Sequence, residues 1–236
     1  MRSPSVTEFG GLALIGGAVS FLGVFAYLAA RFSYPDVLDG PADQVLPNLL
    51  ALGRSGRAAW AFYAFLPLIW LPAGVGAFHA LRHVREGTMR AAMLFAVVAA
   101  ISMMLGLMRW PSVHWELAQA FAHASPAGRE ALAAMFAGLN VYLGNYVGEF
   151  LGELSVSMFF LLSALTLLQT AAAAPRWIAI LGILTAVAGM IGMFRNVSDA
   201  VAPIAELNNY LLPLWMIIFG IWLIRARRAP SSASTQ

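Results

Sequence analysis

The chain has 236 residues, 61% of them hydrophobic and only 11% charged, with a formal net charge of +3. A soluble domain carries about 25% charged residues, so this surface is too poor in charge to face water and its solvent is lipid. With no cysteine, disulfides, thiolate metal sites and cysteine nucleophiles are excluded.

Six apolar segments of spanning length follow one another, at residues 9–30, 58–81, 91–110, 145–169, 177–196 and 209–224. A helix rising about 1.5 Å per residue needs about 20 residues to cross the hydrocarbon. The expected fold is all-α, a polytopic bundle of six transmembrane helices with short outer-loop helices. It forms one membrane domain over residues 1–229, followed by a disordered polar tail at 230–236. The first segment is longer than the apolar core of a signal peptide and is read as a retained span.

The loops between spans give the orientation. With the N-terminus in the cytoplasm, eight arginines oppose two acids on the inner side, and six oppose nine on the outer side. That bias predicts cytoplasmic termini. It also explains the basic pI by helix ends, so no nucleic-acid partner is expected. The inner loops, 82–90 and 171–176, are short. The first outer loop, 34–57, holds Pro35, Gly40, Pro41 and Pro47, with an amphipathic stretch at 45–52. The second, 111–144, is expected to carry helix at 114–123. Another helix start follows at Ser125-Pro-Ala-Gly-Arg-Glu130, and it can run on into the fourth span. Pro67, Pro72 and Pro213 fall inside spans and can kink them. Gly106-Leu-Met-Arg109 and Gly192-Met-Phe-Arg195 are alike at the ends of two spans.

The fourth span is the most informative. Gly144, Gly148 and Gly152 recur every four residues and form a stripe that lets a neighbouring helix approach. Asn145, Glu149 and Glu153 recur at the same spacing on the adjoining arc, with Tyr142 beside them. Arg109, Arg195 and Glu153 each lie 18 residues from the cytoplasmic end of their own spans, about 27 Å deep. They are therefore expected in one layer beneath the outer interface, with Asn196 near it. An ionic side chain in lipid costs several kcal/mol unless paired or wet, which predicts pairing between these arginines and glutamates.

The candidate ligand-binding cluster is Arg109, Trp110, Tyr142, Asn145, Glu149, Glu153, Arg195 and Asn196. The bland alternative is a set of ion pairs that fix helix register. Glu149 and Glu153 can also be read as an acid–base pair. His79 and His83 have metal-ligand spacing but read better as a polar helix end. His114 is expected at the surface between Trp110 and Trp115, read as interfacial aromatic anchors. No metal site or cofactor motif is recognised.

Several short motifs occur together: Leu105-Gly-Leu-Met-Arg-Trp-Pro111, Arg129-Glu130, Tyr142-Leu-Gly144, Gly148-Glu149 with Leu151-Gly152, Pro175-Arg-Trp177 and Asn209-Tyr-Leu-Leu-Pro-Leu-Trp215. Their order and spacing over nearly the whole chain resemble the bacterial membrane-protein family called domain of unknown function 4386. The resemblance implies six transmembrane helices and a bacterial inner-membrane location, and no activity. It makes Arg109, Trp110, Pro111, Glu149 and Gly152 motif positions. The chain departs from the pattern at Phe150, where histidine is usual, and at Glu153, where an uncharged residue is usual. The departures weigh against an acid pair and favour Glu149 with Arg109. Three functions remain: binding a small molecule or membrane lipid, as in a transporter or sensor; a membrane enzyme acting on a lipid or isoprenoid; and a structural or partner-binding subunit.

Overall fold

A computed structural model describes residues 4–170 and 174–226. The polar tail at 230–236 lies outside them. Among the described residues every regular element is helical: α1 (Val6–Phe32), α2 (Ala42–Ala51), α3 (Gly53–Phe65), α4 (Trp70–Met108), α5 (Val113–His123), α6 (Pro126–Leu139), α7 (Gly152–Leu167), α8 (Arg176–Gly192) and α9 (Ala202–Ala226), with short 3₁₀ turns and one π-helical stretch, Asn140–Leu151.

Among the described residues, five helical runs are long and apolar enough to cross a membrane. One of them, Gly53–His123, has 71 residues. At about 1.5 Å per residue it would extend some 106 Å, over three times the hydrocarbon thickness. It is in fact folded on itself. Arg85 has φ −147° and ψ 85°, which breaks the helix inside α4. A Cβ placed on Gly74 would lie 2.8 Å from the Ala96 Cβ. These two residues are equidistant from Arg85, so the arms of α4 form an antiparallel hairpin. The expected inner loop at 82–90 is thus reduced to one non-helical residue, because its Arg, His, Val and Glu residues sustain helix on both sides. Dividing the run at Arg85 gives six spanning segments.

Other expectations are met closely. The Ser125 hydroxyl accepts from the Gly128 N–H, with Pro126 in the first helical turn. The helix it opens runs through the π-helical stretch to Leu167 without interruption. Pro67 lies in a 3₁₀ turn, Leu66–Ile69, between α3 and α4. It therefore tightens the second span locally rather than ending it.

The contacts divide into two compact units. The first comprises the described residues within Met1–Val19, Leu68–Ala100 and Glu153–Gln236; the second comprises Ser20–Pro67 and Ile101–Gly152. In the first unit, α8 and α9 pack closely because Gly182 seats the Trp215 ring, whose indole donates to the Ile178 carbonyl at 2.9 Å. In the second unit, α2 lies against α5 and α6. The amphipathic stretch expected at 45–52 is real: Val45, Leu46 and Leu49 are buried in a core with Trp60, Trp110, Trp115, Phe121 and Phe136. This corrects one expectation. Trp110 and Trp115 are not interfacial anchors and His114 is not at the surface, because they pack in the core that α2, α5 and α6 form; Trp110 and His114 are fully buried.

Candidate functional site

In the second unit the site is built around Arg109, the residue that follows α4. Its side chain turns back on the last turn of that helix, and Nη1 donates to the Gly106 carbonyl at 2.5 Å. A cation at a helix C-terminus meets carbonyls that lack helical partners, so the placement is favourable. Nε donates to Asn140 Oδ1 at 3.1 Å, and the guanidinium lies 5.1 Å from the centre of the Trp110 ring. The residue is 4% exposed. Asn140 in turn donates from Nδ2 to the Leu38 carbonyl at 2.9 Å. One buried carboxamide therefore joins the end of α4, the start of the π-helix and the turn after α1.

The glycine stripe has the role its spacing predicts. A Cβ on Gly144 would strike the Arg109 guanidinium, one on Gly148 would lie 2.9 Å from the Gly106 Cα, and one on Gly152 would lie 2.6 Å from the Met103 Cγ. Three successive turns of one helix thus receive Met103 and Gly106 of α4 and Arg109 just after it. Asn145 and Glu149 stand on the π-helical stretch and are half-buried, whereas Tyr142 is 65% exposed. A π-helix shifts each backbone bond from i−4 to i−5 and occurs preferentially at functional sites. On α3, the Tyr63 hydroxyl lies 3.3 Å from that of Tyr34.

Beside Arg109 lies an aromatic core. Trp60 and Trp110 stack at 4.9 Å, Phe32 meets both edge-on, and His114 stands edge-on to Trp110 at 4.9 Å. The indole N–H groups of Trp60 and Trp110 and both nitrogens of His114 are buried with no hydrogen-bond partner among the described residues. Each such group costs about 1–3 kcal/mol, and a whole domain is stable by only about 5–15 kcal/mol. This concentration of unused donors next to a buried cation is therefore the chemically distinctive feature of the second unit.

In the first unit, Arg195 Nη1 donates to Glu153 Oε2 at 2.8 Å and to the Gly192 carbonyl at 3.2 Å. The expected arginine–glutamate pairing is realised here, between α7 and the 3₁₀ turn Met193–Asn196 that follows α8. Asn196 closes that turn and is half-buried. The two Gly-x-x-Arg sequences share one local geometry, each arginine returning to the carbonyl of the glycine three residues before it. His79 and His83 are exposed.

Asn140 and the aromatic core are the parts of the site that spacing did not reveal. Only the polarity of Asn140 between Leu139 and Val141 could have drawn attention to it.

The fold and the buried polar groups define a polytopic α-helical membrane protein. The chain belongs to the family described as Domain of unknown function (DUF4386), which it matches over residues 9–226. No curated protein and no solved structure matches it.

Proposed function

We propose that this protein is a multi-pass protein of the bacterial inner membrane, with both termini in the cytoplasm. It holds a small molecule or lipid by a polar group, as a transporter or sensor does, in an outer-leaflet site formed by Arg109, Trp110, Asn145 and Glu149. The observation that carries this reading is the set of buried, unpartnered indole donors next to Arg109, a surplus that suits an oxygen-bearing ligand. The π-helical stretch under Asn145 and Glu149 supports it. Arg195 and Glu153 satisfy one another and are assigned to holding α7 and α8 together.

The arginine bias supports the orientation. Alkaline phosphatase fused after Arg228 is expected to be inactive, and active when inserted between Ala124 and Ser125. The reverse pattern would refute the orientation. The binding reading is tested by a density map of protein purified from its native membranes into nanodiscs. A bound molecule should appear at Arg109 and Trp110 and be lost with Glu149→Gln.

A further inference from the structure

A cleft of about 630 Å³ opens between α2, α5 and α6 in the second unit, and it shares no residue with the Arg109 group. Its volume lies within the usual range of about 300–1,000 Å³ for small-molecule sites. Its floor is apolar, with Pro47, Phe121 and Ala133 among the lining residues, and its rim carries Asp43, Arg129 and Glu130. The three rim residues are exposed. Arg129 is occupied by the Phe121 ring, over which its guanidinium sits at 5.4 Å. Asp43 and Glu130 make no ion pair or hydrogen bond among the described residues. The rim therefore offers two uncommitted carboxylates against one engaged cation, above an aromatic and aliphatic floor.

We propose that this cleft binds hydrophobic monocations. The organic body lies on Phe121 and the alkyl groups beside it. The positive centre lies between Asp43 and Glu130. An anion of the same size meets one negative charge in excess and gains only the apolar floor. Because the rim is wet, the preference should weaken as salt rises.

The test uses the full chain in phosphatidylcholine nanodiscs and two ions of nearly equal size and opposite charge, tetraphenylphosphonium and tetraphenylborate. Binding to empty nanodiscs is subtracted from each. Saturable binding of the cation alone is expected. Asp43→Asn combined with Glu130→Gln should weaken it at least about tenfold, and Arg129→Gln should tighten it. All three positions are exposed, so the variants should keep the wild-type circular dichroism spectrum. Equal saturable binding of both ions overturns the proposal, as does unchanged cation affinity in a folded Asp43→Asn/Glu130→Gln protein. Neither result bears on the Arg109 site, whose density map is read separately.

Discussion

Arg109→Ala is expected to lower unfolding stability by about 3–6 kcal/mol. The substitution removes two charge-assisted hydrogen bonds, to Asn140 and to the Gly106 carbonyl. Each is worth about 1.5–3 kcal/mol, and the loss leaves a buried carboxamide oxygen without its donor. Arg109→Lys should recover only part of this, because an ammonium cannot span both acceptors in the guanidinium's fixed geometry. Asn140→Leu should cost a similar amount, and the double variant less than the sum of the two. Unfolding of the purified protein in mixed micelles measures all three. A loss below about 1 kcal/mol for Arg109→Ala would mean that the guanidinium is not held as described.

Gly148→Leu is the second severe change. Residues 106 and 148 approach backbone to backbone, and a Cβ on Gly106 would lie 2.5 Å from the Gly148 Cα. Overpacking typically costs about 1–3 kcal/mol where side chains can adjust. Here the obstructing atoms are main chain, so α4 and the π-helical stretch must separate, displacing Arg109 from Gly144 as well. A loss above about 3 kcal/mol is expected, or failure to yield monodisperse protein. Gly138 is the control. Nothing lies within 4 Å of a Cβ there, and Gly138→Leu should be neutral or stabilising by up to about 1 kcal/mol, since leucine is the better helix former. Equal tolerance at positions 138 and 148 would contradict the close approach.

These two variants mark the boundary between what was legible in the sequence and what was not. The glycine stripe was legible because small residues four apart share a face whether the helix is α or π, so the face survived the change of helix type. For the same reason the spacing could not disclose the π-helix itself. The Arg195–Glu153 contact was anticipated by counting depth along two helices, a one-dimensional argument that works when both segments cross the same layer. The contact of Arg109 with Asn140 was not anticipated. Asn140 is 31 residues away from Arg109 and 102 from Leu38, and no periodicity links those positions. Trp110 and Trp115 were misplaced because tryptophan near a span end usually marks the interface. Here the outer segments fold back as α2, α5 and α6, and an amphipathic loop helix turns an interfacial residue into a core residue.

Whether Arg109 and its neighbours serve a ligand is decided most directly by a map, at side-chain resolution, of the protein taken from its own membranes into nanodiscs. The account predicts non-protein density within hydrogen-bonding distance of the Arg109 guanidinium or the Trp110 indole, present in the wild type and missing in Glu149→Gln. A dry, close-packed interior around Arg109 in both proteins would contradict it, and would leave the buried cation with a structural role alone.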